Sequence, residues 1–323
     1  MFKKILSMGT LLCAMTGIWF APPAVAAAPW PDKPVRLIVP WAPGGSTDIA
    51  ARIIGADLSK RLKQQFIVEN RAGAGAIVGM QFTAQQPPDG YTFLLTSTGY
   101  GFLISKAPVD FVNSFVSVSM IGVADSVLVV NPHLPVNTVK DLIALAKKRP
   151  GELLYSSSGV GGFPHMNTEL FKLMADVNLT HVPFKGGGPA IVDTVAGNTQ
   201  LQIGSLPTVI SHVRSKRLKA IAVGGPKRNP TLPDLPTISE SGVPGYETQI
   251  WFGVFGPKAL PGGLVSAMHS AVNESISTQD TMKRLDEQGI IVEKMSTAQF
   301  AKYMESEQEK WAKVIKAANI KGE

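Results

Sequence analysis

The stretch VRLIVPWAPGGSTDIAAR, residues 35–52, contains the pattern that decides the fold. Residues 35–41 are mostly apolar and β-branched, which is typical of a buried strand. The Pro- and Gly-rich residues 42–46 then predict a turn. A helix is predicted from Thr47 to about Leu62, because isoleucines and leucine recur there at helical spacing. Strand, glycine-rich turn and helix in this order form the repeating unit of an α/β protein.

The same order recurs along the chain as far as about residue 223. Further strands are predicted at 65–68, 91–96, 126–131, 153–156, 179–183, 201–203 and 218–223, with amphipathic helices between most of them. Such alternation predicts mainly parallel sheets flanked by helices. The tail differs, because residues 264–318 are helical in pattern apart from a short strand near 290–293.

The first 26 residues have the features of a secretory signal peptide. Lys3 and Lys4 precede an apolar run over residues 5–20, and an Ala-Val-Ala site ends at Ala26. The run is short for a bilayer-spanning helix, so we expect cleavage after Ala26 and export to the periplasm. The single cysteine, Cys13, lies in the removed part, which excludes a disulfide or a cysteine-ligated metal in the mature chain.

About 300 residues remain, which suits two lobes better than one core. The Pro-rich segment 226–244 is a plausible crossover between lobes, because it cannot supply regular backbone hydrogen bonds. We therefore predict one lobe from residues 27–127 with 246–323 and another from residues 128–245, with a ligand cleft between them.

The charge of the chain argues against nucleic acid as a partner. The formal charge is +7, and Lys3 and Lys4 contribute two of these charges, which leaves a modest, scattered +5 on the mature chain. This mildly basic balance suits an anionic small molecule. No HExxH, paired metal spacing or cofactor motif is present, so neither a metal nor a cofactor is expected.

The turn at residues 42–46 is a candidate anion site. Ser46 or Thr47 can cap the helix, and the free N–H groups of the first helical turn attract negative charge. A nucleotide P-loop is excluded, because its phosphate-binding lysine is missing and Asp48 follows instead. Small carboxylates therefore fit better than phosphates, although a plain tight turn with a good N-cap explains the same residues.

Two further turns carry polar groups after predicted strands. One contains Ser156, Ser157, Ser158, Gly159 and His165; the other contains Phe184, Lys185 and Gly187. Since open α/β sheets bind ligands at the carboxyl ends of their strands, the three turns together predict a cleft. Trp41, Ser97 and Ser205 complete the predicted ligand-binding set.

Catalysis is the less favoured reading of these residues. A triad of Ser157, His165 and Asp193 can be imagined, but the sequence has no G-x-S-x-G elbow. Phe163, Phe184 and Trp251 can either line an apolar pocket or pack in the core. The sequence therefore predicts a binding protein and not an enzyme.

The chain resembles the Bordetella uptake gene (Bug) family, the solute receptors of tripartite tricarboxylate transporters. The resemblance runs from Trp30 to Pro261 and rests on motifs that include WPDKPVRLIVPWAPGGSTDIAARIIG, VENRAGAGAIVG, PPDGYTFLL, HVPFKGGGPAIVDTVAG and WFGVFGPKALP. It implies a type II periplasmic-binding-protein fold that closes on its ligand, and membrane permease subunits as partners. We expect the protein to be a monomer. It also implies that Ala42, Pro43, Gly44, Ser46, Thr47 and Asp48 form one jaw, and Ser156, Ser157, Ser158, Gly159 and His165 the other.

Three departures from the family pattern bear on the ligand. Ala76-Ile77-Val78-Gly79 stands where the family usually has Gly-Asn-Ile-Gly, Gly204-Ser205 stands where it often has Asp-Asn, and Trp41 replaces a more usual Phe. These changes make the pocket more apolar and roomier, which favours an aromatic or long-chain carboxylate over an amino acid. Asp48 is expected to act indirectly, because like charges repel at contact distance. A sensor subunit that signals to a membrane kinase remains the alternative to a transport receptor.

Overall fold

A computed structural model describes residues 30–99 and 111–321. The strands are β1 (Val35–Val39), β2 (Phe66–Asn70), β3 (Thr92–Ser97), β4 (Phe115–Val130), β5 (Leu154–Ser157), β6 (Thr180–Pro183), β7 (Leu201–Ser205), β8 (Lys219–Val223), β9 (Gln249–Pro257) and β10 (Ile291–Val292). The helices are α1 (Ser46–Leu62), α2 (Ile77–Ala84), α3 (Phe111–Ser114), α4 (Val139–Lys148), α5 (Phe163–Ala175), α6 (Gly187–Ala196), α7 (Leu206–Arg214), α8 (Gly262–Ser275), α9 (Gln279–Glu287) and α10 (Thr297–Ala317). The predicted signal peptide lies outside the described residues.

The strands form two sheets that share the long strand β4. The order is β2-β1-β3-β9-β4-β7-β5-β6, and β10 and β8 also pair with β4. Residues 115–125 of β4 pair with β9, whereas residues 126–130 pair with β7 and β8. We call the part built on β1–β3, β9 and β10 the first lobe and the part built on β5–β8 the second lobe.

Each lobe has its own hydrophobic core. The first contains residues such as Leu37, Phe93 and Phe255 from the strands and Ile54 from α1. In the second lobe, Tyr155 and Phe171 pack in a separate cluster, and Val209 belongs to a third on the other face of the sheet. The two lobes thus have largely separate cores, although Phe163 of α5 packs in the core of the first lobe.

The chain crosses between the lobes at two adjacent positions. Within β4, Ser126 begins the pairing with the second lobe, and its Oγ lies 2.6 Å from Thr248 Oγ1 just before β9. The carboxylate of Asp125 accepts hydrogen bonds from Asn229 Nδ2 at 2.6 Å and Gln249 Nε2 at 2.8 Å. The two crossing strands are therefore tied together by buried side chains.

Helix α10 touches both lobes. Phe300 and Met304 near its start are buried in the core of the first lobe. Trp311, further along, packs against Met166 of α5 in the second lobe. Of the helices in residues 30–99 and 111–321, none combines the length and apolar character that a bilayer crossing requires.

The structure confirms the α/β class and the two-lobed arrangement, and it corrects the strand directions. The β1–β2, β1–β3, β5–β6 and β5–β7 pairs are parallel, but every pairing of β4 and β9 is antiparallel, so the sheets are mixed. Helix α1 begins one residue before its predicted start. The strand predicted at residues 126–131 corresponds only to the end of β4, which begins at Phe115. The prediction missed the first part of this strand because Ser117, Ser119 and Gly122 interrupt its apolar pattern.

Candidate functional site

Four helices begin at one pocket between the lobes. This inner pocket is lined by residues at the starts of α1, α5, α6 and α7. The starting residues are Ser46, Phe163, Gly187 and Leu206. Each start follows a strand or its turn, so the carboxyl ends of the strands in both lobes face the same space. The partial positive charges of four helix dipoles therefore converge on the inner pocket.

Hydroxyl groups dominate the polar lining of the inner pocket. They belong to Ser46, Thr47, Ser97, Thr98, Ser158, Ser205 and Thr208, and no Asp, Glu, Lys or Arg lines the pocket among the residues described. Thr47 Oγ1 lies 2.6 Å from Ser97 Oγ, and Ser205 Oγ lies 3.0 Å from Thr208 Oγ1. A pocket of this kind offers hydrogen-bond donors to an anion and no competing carboxylate.

The lobes are in contact on both sides of this pocket. The N–H of Ala42 donates to the carbonyl of Lys185 at 3.1 Å, and the N–H of Ser46 donates to Thr208 Oγ1 at 3.1 Å. Gly99 of the first lobe and Gly162 of the second form an isolated β-bridge. These contacts define a closed arrangement of the two lobes.

Two buried side chains in the pocket lining each have one polar atom without a hydrogen-bond partner among the described residues. Among the described residues, neither Trp41 Nε1 nor Gln202 Oε1 has a hydrogen-bond partner, although Gln202 Nε2 donates to Ser156 Oγ at 2.9 Å. Trp41 is 5 % exposed and Gln202 is fully buried. Because an unpaired buried polar group costs about 1–3 kcal/mol, both are candidates for contact with a ligand.

The predicted ligand-binding residues fall into three groups. Trp41, Ser46, Thr47, Ser97, Ser158, Gly187 and Ser205 line the inner pocket. An adjoining space, the outer chamber, is lined by Gly159 and Phe184 and also by Trp41 and Ser158. Neither space is lined by the remaining predicted residues, which are Ala42, Pro43, Gly44, Asp48, Ser156, Ser157 and His165.

Sequence reasoning missed several residues of the inner pocket. These are Thr98, Pro164, Gln202, Thr208 and Ile250. Gln202 carried a usable signal, because a glutamine between Leu201 and Ile203 interrupts an otherwise apolar buried strand. Thr208 had none, since a threonine in the first turn of a helix is ordinary.

A column of stacked rings supports the turn that follows β5. The ring centroids of His165 and His181 are 4.2 Å apart, and those of His181 and Tyr155 are 4.9 Å apart. His165 Nδ1 accepts a hydrogen bond from the N–H of Gly161 at 3.0 Å, and His181 Nε2 lies 2.5 Å from Ser157 Oγ. Burial lowers the pKa of His165 to about 4 and that of His181 to about 3, so both rings are neutral at neutral pH.

The imagined catalytic triad is not assembled. Ser157 Oγ is fully buried and lies beside His181 instead of His165. Asp193 Oδ1 accepts a hydrogen bond from Asn198 at the end of α6. No cluster of metal-ligating side chains occurs within residues 30–99 and 111–321.

Asp48 stabilises the turn before α1 from the side away from the inner pocket. Its carboxylate accepts hydrogen bonds from the N–H of Gly44 at 3.1 Å, from Arg52 Nε at 3.0 Å and from Asn70 Nδ2 at 3.0 Å. Burial alone would raise the pKa of Asp48, but the hydrogen bonds and the charge of Arg52 outweigh it and lower the pKa. Asp48 therefore stays ionised and fixes the turn.

We expect Asp48→Asn to lower the free energy of unfolding more than it changes ligand affinity. The amide keeps one acceptor oxygen but loses the charge, so we expect a loss of about 1–3 kcal/mol in stability. The dissociation constant should rise less than about tenfold, since Asp48 lies outside the pocket. Urea unfolding and calorimetric titration measure the two effects. A larger rise in the dissociation constant with unchanged stability would show direct contact with the ligand.

Comparison with known proteins identifies the class. The chain is 34% identical to the protein BugT of Bordetella pertussis, over 97% of this chain and 98% of that protein. The solved structure of R. palustris Rpa4515 with adipate is 36% identical, covers 90% of this chain and 99% of its own, and superposes with a TM-score of 0.87. The periplasmic binding protein BugD is 28% identical, covers 91% of this chain and 100% of its own, and has a TM-score of 0.87. The fold is that of the periplasmic binding proteins.

The family follows from a match over most of the chain. The sequence model of the family described as tripartite tricarboxylate transporter family receptor matches residues 50–320 of the chain. The chain therefore belongs to this receptor family, which includes the Bug proteins. The resemblance stated from the sequence motifs is confirmed.

Proposed function

We propose that this protein captures a small organic carboxylate in the inner pocket and delivers it to the membrane permease subunits of a tripartite tricarboxylate transporter. The observation that supports this proposal most directly is the convergence of four helix N-termini on a pocket whose lining, as far as the structure describes the chain, contains no charged side chain. Helix N-termini bind anions through free N–H groups and the helix dipole. The adipate in the R. palustris relative supports the same ligand chemistry here.

The ligand acts by stabilising the closed arrangement. The inner pocket has walls from both lobes, with Ser46 and Ser97 on one side and Ser158 and Gln202 on the other. A ligand that touches both walls gains its full affinity only when the lobes are closed, and this difference drives closure. We take residues 27–127 with 246–323 as one moving body and residues 128–245 as the other.

The remaining parts of the proposal follow from the family and the sequence. A receptor of this family reaches its transporter outside the inner membrane, which agrees with cleavage after Ala26 and export. The closed form then docks on the permease as a monomer and without catalysis. Within the described residues, no feature favours signalling to a membrane kinase over transport.

A thermal-shift screen of the purified, ligand-free protein tests the proposal. Aliphatic dicarboxylates, tricarboxylates, aromatic carboxylates and acidic amino acids are compared with the methyl esters of the same acids, which keep the shape and lose the charge. Ligand at a hundred times its dissociation constant stabilises the folded protein by about 2.7 kcal/mol. We expect a rise in Tm for one class of acid and none for its esters. Equal shifts for acid and ester, or no shift with any acid, would contradict carboxylate binding.

A further inference from the structure

The first half of helix α10 is anchored in the first lobe. The ring of Phe300 is fully buried and lies directly on Gly253 of β9, so that a Cβ added to this glycine would collide with the ring. The ring centroid of Phe300 is also 5.1 Å from that of Phe255, and Met304 is buried one turn further along. Side chains packed in this way cannot leave their sites without opening a cavity. The first half of α10 therefore belongs to the first lobe.

The second half of α10 reaches the second lobe. Trp311 is 1 % exposed and packs on Met166 of α5. Its Nε1 donates to Glu307 Oε2 at 3.2 Å, which fixes the orientation of the indole. Half-buried apolar residues nearer the end of the chain pack against this pair; they are Val314, Ile315 and Ile320. A second, smaller contact thus joins α10 to the other lobe.

The two contacts are connected by a stiff helix. Phe300, Met304 and Trp311 recur at helical spacing, so one face of α10 makes both contacts. Residues 297–317 contain neither Gly nor Pro, the residues at which helices most often kink. A straight helix that is held deeply in the first lobe cannot follow the second lobe when the two move apart. The smaller contact, between Trp311 and Met166, is then the one that separates.

Met166 lies one turn behind the wall of the inner pocket. Phe163 and Pro164 in the first turn of α5 line that pocket, and Phe163 also packs in the core of the first lobe. Phe163 and Met166 are three residues apart, so they lie on the same face of α5. The movement that closes the lobes around the pocket therefore also brings Met166 onto Trp311.

We propose that the second half of α10 is a latch, in which Trp311 packs on Met166 only when the lobes are closed. This inference rests on the proposed function, in which ligand binding drives closure. Opening the lobes exposes both side chains to water, which is unfavourable, so the latch stabilises the closed form without contact to the ligand. Trp311 is thus a positioning residue. Without it a smaller fraction of the protein is closed, and the apparent affinity falls with that fraction.

A double-mutant cycle tests the latch, with adipate as the probe and calorimetric titration as the measurement. Trp311→Ala should raise the dissociation constant of adipate about tenfold, and Met166→Ala about fivefold. The double variant should bind as Trp311→Ala does, because either change removes the same contact. Trp30→Ala is the matched control, since the ring of Trp30 packs on Phe93 within the first lobe. This control should lower Tm and leave the dissociation constant unchanged.

The closed fraction can also be measured without ligand. Cys13, in the predicted signal peptide, is the one cysteine of the sequence, so Val78→Cys and Val192→Cys supply unique labelling sites in the rest of the chain. Both residues are exposed, Val78 in α2 of the first lobe and Val192 in α6 of the second. Pulsed EPR between spin labels at these sites distinguishes closed from open protein. Trp311→Ala should lower the ratio of closed to open protein about tenfold.

The outcomes separate the latch from the proposed function. A higher dissociation constant and a smaller closed fraction in Trp311→Ala, with neither change in Trp30→Ala, support the latch. Unchanged values in Trp311→Ala, equal changes in Trp30→Ala, or additive effects in the double variant overturn it, and the proposed function stands. If the wild-type protein does not bind adipate, the label distances decide on the latch, and binding of no carboxylate at all overturns the proposed function. Should Trp311→Ala not fold, Met166→Ala is judged by the same results.

Discussion

Gly188→Ala is expected to raise the dissociation constant of the ligand about a hundredfold while both lobes stay folded. A Cβ on Gly188 would lie 2.2 Å from Pro43 O of the opposite lobe, which is far inside contact distance. In the open form this clash disappears, and alanine is a better residue than glycine in a helix. The substitution therefore lowers the fraction of closed protein, and the apparent affinity falls with that fraction.

Titration calorimetry and small-angle scattering measure the two effects of Gly188→Ala. The radius of gyration of the variant in the presence of ligand should stay at the value of the ligand-free wild-type protein, because the variant does not close. The matched control is Gly263→Ala near the start of α8, where an added Cβ meets nothing within 4 Å. This control should bind ligand as the wild type does. Wild-type affinity in Gly188→Ala would show that full closure is not required for binding.

Acid is expected to destabilise the second lobe through its stacked histidines. The pKa of His165 in the folded protein is about 4 and that of His181 about 3, both below the value of about 6.5 expected in the unfolded chain. As the pH falls from about 6.5 to 4, the unfolded chain takes up protons that the folded protein does not. The free energy of unfolding then falls by about 3 kcal/mol for each histidine. This stability is fully present above about pH 6.5.

The groups around these rings explain why the histidines stay neutral. Lys172 disfavours a second positive charge, and it is already paired with Glu169 at 2.7 Å. Tyr155 covers the other face of His181 and donates its hydroxyl to Glu169 at 2.6 Å. A protonated His165 would also lose its role as acceptor for the N–H of Gly161.

Urea unfolding between pH 4 and 7 measures this acid sensitivity. His165→Asn keeps an acceptor near the position of Nδ1 and removes the titrating ring, so its stability should fall less steeply with decreasing pH than that of the wild type. His133→Asn removes an exposed histidine and serves as the control. An unchanged pH slope in His165→Asn would show that other groups cause the acid sensitivity.

The strand–turn–helix units could be predicted from sequence because their signals are local. Residues 35–62 combine an apolar strand, a glycine turn and helical periodicity in one continuous stretch, and the structure has β1 and α1 there. The parallel pairs β1–β2 and β5–β6 follow from such units. The antiparallel pairing of β4 with β9 could not be predicted in this way. It joins segments more than a hundred residues apart, and no local sequence pattern specifies which strand is the partner.

The site could be predicted in outline for the same reason. Ser46, Ser97, Ser158 and Ser205 follow predicted strands or their turns, and the structure brings them to one pocket. The exact residues at which a strand ends and the next helix begins determine which side chains point into the pocket. Ser156 and Ser158 are two residues apart, yet Ser156 lies behind the pocket with its Oγ 2.7 Å from Thr194 Oγ1. Sequence spacing does not decide between such positions.

The place of β9 in the first sheet determines the order in which the chain can fold. β9 lies between β3 and β4 and pairs with both, so the first sheet stays in two separate pieces until β9 is present. Residues 126–223 meanwhile contain every strand of the second sheet. Because closing long loops slows folding, the second lobe can assemble first and bring Thr248 beside Ser126. The second lobe, which is inserted in the chain of the first, then holds the starts of β9 and of the second-lobe part of β4 together while the first lobe completes its sheet.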